Sequence, residues 1–338
     1  MTRCDALLGR QDFRHARGFT LIELMVSLTI GLIISVSVIA AYLGTAASGA
    51  LAEAQARMNE DAQAALTILT QQLRISGTNF PRAGRTDTSR TDPVYNPYPA
   101  AASKYSTTPA SFLLSDFSIR GCDGTFSNVT SAATLDTLQC AGGPDAAPDS
   151  IAVSYQGDAF NTVQAGTNLP SDCAGAALAP ITVTFSGEAN PGPFTYYVAD
   201  NRFYIGPAGA TRAPTLFCKG NGVNSVAQPL VENVEDMQLS YGAVALATPL
   251  VDLRTANVAG SLNANAITGL TGVSNDPMPW QQVITVQICL LVRSDARAVT
   301  DSTASGAYFD CNGALTAAPD RRLRRAYHAT VVLRNRRT

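Results

Sequence analysis

The chain has 338 residues, 15% of them charged, with a formal net charge of −2, seven cysteines and two histidines. Mild acidity of this kind argues neither for nor against nucleic acid as a partner. Two histidines, and the lack of any G-x-S-x-G, P-loop or H-E-x-x-H motif, exclude the common nucleophile, nucleotide and zinc-hydrolase classes, so neither an enzyme nor a cofactor is expected.

At the N-terminus, Arg3, Arg10, Arg14 and Arg17 outnumber Asp5 and Asp12. Positive residues ahead of an apolar run favour a cytoplasmic N-terminus. The run follows at once: RGFTLIELMVSLTIGLIISVSVIAAYL, residues 17 to 43, with no Asp, Glu, Lys or Arg from Leu24 to Ala52. A helix crosses a bilayer with about 20 apolar residues, so this segment is long enough. Its Leu, Ile, Val and Met fall all round the helical wheel, the pattern of a helix covered on every face. Glu23 is the exception. An ionised carboxylate one turn inside hydrocarbon needs a positive partner nearby. A cleaved secretory signal has a shorter apolar core and a small-residue cleavage site after it, whereas this run continues as helix.

Beyond Tyr42 the helix is predicted to reach Ser76. Leu51, Ala54, Met58, Ala62, Ala65, Leu69 and Leu73 recur at steps of three and four, with Glu53, Arg57, Glu60, Gln63 and Gln71 between them. No proline interrupts residues 19 to 80, and Gly77 stands where a left-handed C-terminal cap belongs. Such a helix would be roughly 80 Å long, far more than a bilayer requires, so its outer half is expected on a folded domain. Residues 78 to 110 are rich in Pro, Thr, Ser and Arg and read as a long loop. Arg82, Arg85 and Arg90 with Tyr95, Tyr98 and Tyr105 have the composition of a stacking surface for single strands. Asp87 and Asp92 interrupt that charge, which favours a solvated loop.

From Ser111 onward the pattern is β. Residues 151 to 155 and 181 to 185 are alternating or β-branched runs, and residues 194 to 198 and 202 to 205 flank Asp200-Asn201 as a predicted hairpin. Residues 228 to 242 end in a strand, a loop follows to Met278, and residues 282 to 293 and 327 to 333 give two strong strands. Together they predict one antiparallel sheet receiving the apolar stripe of the helix. Beyond Cys4 the cysteines are Cys122, Cys140, Cys173, Cys218, Cys289 and Cys311. An even number on the translocated side indicates disulfides. Six cysteines allow fifteen pairings, which sequence cannot resolve, although short loops favour Cys122 with Cys140, Cys173 with Cys218 and Cys289 with Cys311. A metal site would want C-x-x-C spacing or nearby His, and none occurs; Asp301, Asp310 and Asn312 lack EF-hand spacing. Seven arginines between Arg321 and Arg337 read as an electrostatic interface, or as a charged end strand that resists edge pairing.

The heptapeptide Arg17-Gly18-Phe19-Thr20-Leu21-Ile22-Glu23 resembles the processing site of type IV prepilins and pseudopilins. PLVENVEDMQLSYG (229 to 242), VQICLLVRS (286 to 294) and RRLRRAYHATVVLRNR (321 to 336) are similar to stretches of PilW-type minor pilins; residues 78 to 225 carry no such likeness. The resemblance implies an α+β fold of type IV pilin kind, a long N-terminal helix packed on an antiparallel β-sheet domain. It divides the chain into a leader (1–18), a helix (19–77, its membrane half about 19–43) and a periplasmic or extracellular domain (78–338). It also implies cleavage by a prepilin peptidase between Gly18 and Phe19, N-methylation of Phe19, and charge pairing of the new Phe19 amine with Glu23. The partners implied are the inner membrane, other minor pilins, the major pilin and a tip adhesin, in a structural protein that helps initiate pilus assembly near the tip and supports adhesion and twitching. A type II secretion pseudopilin is the alternative, as is a pilin that binds DNA or another ligand, with nucleic acid the less favoured partner.

Overall fold

In a computed structural model the described residues are 18–77, 117–132, 134–142, 147–163, 165–166, 168–183, 194–208, 213–244, 258–270, 278–295, 306–333 and 335. The chain forms two compact units, Met1–Ala52 and Glu53–Thr338. Helix α1, Leu21–Ile75, belongs to both. In the first unit every described side chain is exposed, including Leu24, Ile33, Val38 and Tyr42.

In the second unit α1 buries Met58, Ala62, Ala65, Leu69 and Leu73, a stripe one side chain wide. Gly77, at φ +74°, ends the helix and donates its N–H to the Ser154 carbonyl at 2.8 Å. That left-handed conformation suits glycine, and a Cβ there would also crowd Ser118 at 3.3 Å. The Asn335 side chain donates to the Arg74 carbonyl at 2.8 Å, occupying one of the last-turn acceptors that a helix leaves open.

The strands are β1 Ile119–Cys122, β2 Ser150–Gly157, β3 Pro180–Val183, β4 Phe194–Ala208, β5 Ala213–Lys219, β6 Gln228–Glu232, β7 Val234–Ala243, β8 Gly260–Leu262, β9 Val283–Arg293, β10 Ala307–Phe309, β11 Leu315–Ala317 and β12 Arg324–Val332. The short helices α2 Ala264–Gly269 and α3 Met278–Gln281 precede β9. Every pairing is antiparallel, but the strands form three sheets where one was expected. Six strands run β1-β2-β4-β5-β6 with β3 beside β4; four run β12-β9-β7-β8; β10 and β11 pair as a hairpin. The division falls at Asn233, whose φ of 64° turns the chain from β6 in the first sheet to β7 in the second. Asparagine tolerates that conformation better than most side chains. The helix stripe, Ile119 and Phe203 of the first sheet, and Met237 and Leu290 of the second share one core.

The predicted hairpin at Asp200-Asn201 is absent, because β4 runs straight through both residues. Both are fully buried and bonded: Asp200 accepts from the Ser154 hydroxyl and from the Leu135 N–H, and Asn201 donates to Gln72 of α1 at 2.8 Å and to the Tyr155 hydroxyl at 3.0 Å. A buried polar pair with partners costs little, and it joins strand to helix. Burial in this network pushes the Tyr155 phenol up to about 12. Between the two large sheets, Asp149 bonds twice to β7, its N–H donating to the Met237 carbonyl and its carboxylate accepting from Leu239 N–H at 2.8 Å, and once to the turn after β1, accepting from Gly124 N–H at 3.0 Å. Burial raises its pKa to about 7 against the pull of those donors.

Candidate functional site

The candidate site is the start of α1. Gly18, Phe19 and Thr20 precede the helix in non-helical backbone, and Phe19 is 86% exposed. Thr20 and Glu23 form a reciprocal cap. The Glu23 carboxylate accepts from the Thr20 N–H at 3.0 Å and from its hydroxyl at 2.9 Å, while the Thr20 oxygen accepts from the Glu23 N–H at 3.3 Å. This satisfies donors that a helix leaves open at its first turn and draws the carboxylate back toward residue 19. From the sequence Glu23 reads as a stranded charge and as the partner of a Phe19 amine, without its role in the cap. The Thr-x-x-Glu spacing that marks a capping box was there to be read.

Past Glu23 the serine and threonine hydroxyls along the helix as far as Thr45 are satisfied internally. The hydroxyls of Ser27, Thr29, Ser35, Ser37 and Thr45 each donate to a carbonyl three or four residues earlier, at 2.8 to 3.0 Å. A helix in hydrocarbon requires this, since no solvent offers a partner. The geometry therefore provides one apolar helix, a capped acid at its entrance, and an exposed Gly-Phe peptide immediately before it. Residues 1 to 17, and with them Arg17, lie outside the described residues.

The remaining candidates fall in the second unit. Disulfides join Cys122 to Cys140, Cys173 to Cys218 and Cys289 to Cys311. The first holds the segment around Leu135 over the buried Arg120, whose guanidinium donates to the Leu135 carbonyl at 3.0 Å. His328 sits on β12 opposite Cys289, its ring nitrogen 3.9 Å from that sulfur, and no carboxylate among the described residues is bonded to it to complete a triad. Asp310 spends one carboxylate oxygen on its own turn, accepting from Asn312 N–H and Ala314 N–H at 2.9 Å; Asp301 lies outside the described residues. Among the described residues no group of three His, Cys, Asp or Glu side chains is placed to hold a metal.

The arginine run is not a uniform surface. Arg324 is buried and forks onto Glu235 at 2.6 and 2.9 Å, with a third bond to Asp320 at 2.7 Å. Burial works against this cation, but the two carboxylates more than offset it and hold its pKa above the ordinary value. Arg322 also turns inward, donating to the Ser294 carbonyl at 2.9 Å. Arg334, Arg336 and Arg337, and the loop with Arg82, Arg85 and Arg90, lie outside the described residues.

Comparison with known families places both ends of this arrangement. The prokaryotic N-terminal methylation motif matches residues 13–39, and the model of the type IV pilus-assembly protein W family matches residues 195–335. Together the two matches support a PilW-type type IV pilin. In this PilW-type chain the family match runs from β4 to Asn335, the part that holds the switch at Asn233 and the four-stranded sheet. Among solved structures, a type IV-like pilin from Thermus thermophilus is 14% identical over 57% of this chain and 82% of its own length, with a TM-score of 0.26. No curated protein sequence matches this PilW-type chain. Its role is pilin-like and structural, and the methylation motif carries the expectation of processing by a prepilin peptidase and assembly with other pilins.

Proposed function

We infer that this protein is a minor pilin, held in the bacterial inner membrane by residues 19 to 43 until it enters a filament. A prepilin peptidase removes residues 1 to 18, Phe19 is methylated, and the new amine meets the Glu23 carboxylate. The observation that carries this is the capped acid: Glu23 is already drawn toward the peptide whose cleavage releases a positive charge. In hydrocarbon, an amine and a carboxylate brought together offset each other's desolvation, within one subunit or between stacked ones. On this reading the helix runs from 19 to 77 and the domain from 78 to 338 lies on the periplasmic side.

The subunit acts by packing and charge registration, initiating assembly with other minor pilins, near the tip and next to the major pilin or an adhesin, and so supports adhesion and twitching. The family match to a pilus-assembly protein favours this over a type II secretion pseudopilin. Deleting the gene separates the two: loss of surface pili and twitching supports the pilus reading, loss of exoprotein secretion the other. Glu23→Ala should lower incorporation into sheared pili by about tenfold or more, the scale of one lost charge pairing, while the second unit melts as before. Normal incorporation of that variant would remove the pairing from the account.

A further inference from the structure

The outer face of the four-stranded sheet carries a groove of about 560 Å³ that plays no part in the assembly reading, a volume within the range of small-molecule sites. Its floor is two rows of the β ladder: Thr330, Gln287 and Ser240 in one, and His328, Cys289 and Gln238 in the next. The Cys289–Cys311 disulfide pins the β10–β11 turn, and so Asn312, along one rim. Along the other, Asp123 accepts from Ala264 N–H and Asn265 N–H at 2.7 and 3.0 Å, fixing Asn263 at the start of α2.

The polar groups here have valence to spare. Gln287 accepts from the Ser240 hydroxyl through its oxygen, which leaves its amide nitrogen to donate. Gln238 donates its nitrogen to Ala147 and Asp236, which leaves its oxygen to accept. Asn263 accepts from Ala266 N–H and keeps its amide nitrogen, while Thr330 and Asn312 have no side-chain partner among the described residues. Among the described residues no lysine, arginine, Phe, Tyr or Trp lines the groove; the one ring in it is the His328 imidazole, and two carboxylates, Asp123 and Asp149, border it.

We propose that this groove binds a neutral saccharide. Amides and hydroxyls fixed on a β ladder offer donors and acceptors in pairs, as vicinal sugar hydroxyls require, and their rigidity lowers the entropy lost on binding. The Asp123 carboxylate on the rim disfavours phosphate, sulfate and sialic acid, and among the described residues no lysine or arginine lines the groove to attract them, so nucleic acid and acidic glycans are the wrong ligands. The proposal is independent of pilus assembly and stands or falls separately from it.

The test uses the full-length chain in a detergent without sugar headgroups, titrated with lactose, cellobiose and chitobiose by saturation-transfer NMR, with sialyllactose and heparin as anionic counterparts. At least one neutral disaccharide should bind, and Gln287→Ala and Thr330→Val should each weaken it about tenfold, the scale of one lost hydrogen bond in a preorganised site. Phe160→Ala, a change of an exposed residue outside the groove, should bind as the parent does. Both groove variants alter side chains on the solvent face of intact strands, and circular dichroism checks their folding. The proposal is overturned if no neutral disaccharide binds up to about 10 mM, a Kd above which recognition is too weak to count, if both groove variants bind unchanged, or if heparin or sialyllactose binds better.

Discussion

Helix α1 contains two stretches written in different patterns. Up to Ala52 its Leu, Ile, Val and Met side chains point in every direction and all are exposed; from Glu53 on, the large apolar residues and alanines at Met58, Ala62, Ala65, Leu69 and Leu73 occupy one stripe and are buried. The period alone makes this difference. An all-round apolar helix can only be covered by something that surrounds it, lipid or the helices of other subunits, whereas a stripe can be covered by one sheet face. The same secondary structure thus presents apolar side chains all round in one unit and forms a core element in the other.

Paired leucine truncations sharpen that comparison most. Leu69→Ala, at a fully buried position, should destabilise the chain by about 2–5 kcal/mol in urea unfolding followed by circular dichroism. Leu32→Ala, the same chemistry in the exposed span, should leave that transition unchanged; a loss above about 1 kcal/mol would mean that the span does have a partner within the chain. The next effect belongs to the second unit and depends on pH. The pKa of Asp149 is about 7 in the folded protein against an ordinary 3.8, so its favourable contribution is complete below about pH 4 and is lost as pH rises through 7. Stability should therefore fall by on the order of 1–4 kcal/mol over that window, and Asp149→Asn should remove this part of the slope. Parallel slopes in parent and variant would mean that Asp149 does not titrate as described. The smallest effect is at the surface: Glu53→Gln breaks a 2.7 Å pair with Arg57 that is well exposed on both sides. It should change stability by less than about 0.5 kcal/mol.

Local patterns were legible in the sequence and distant ones were not. The span, the stripe and strands β9 and β12 announce themselves through unbroken apolar, three-four or β-branched runs. Asp200-Asn201 misleads because, on composition, it belongs in a turn. What keeps it inside a strand is Gln72, Leu135, Ser154 and Tyr155, none of them near it in sequence. Arg324 misleads likewise, looking like one member of a charged run when its partner, Glu235, is 89 residues away. The division of the sheet at Asn233 rests on a single left-handed residue inside a run that reads as continuous. At the candidate site Gly18, Phe19 and Glu23 were readable from one heptapeptide, and Thr20 was missed although its spacing to Glu23 is a known helix-start signal.

Intact-mass and N-terminal mass spectrometry of the protein taken from its native membrane or from sheared filaments addresses the central claim most directly. The account predicts a chain that begins at Phe19 and carries one added methyl group on its amine. A chain retaining residues 1 to 18, or one trimmed at any other bond, would contradict it.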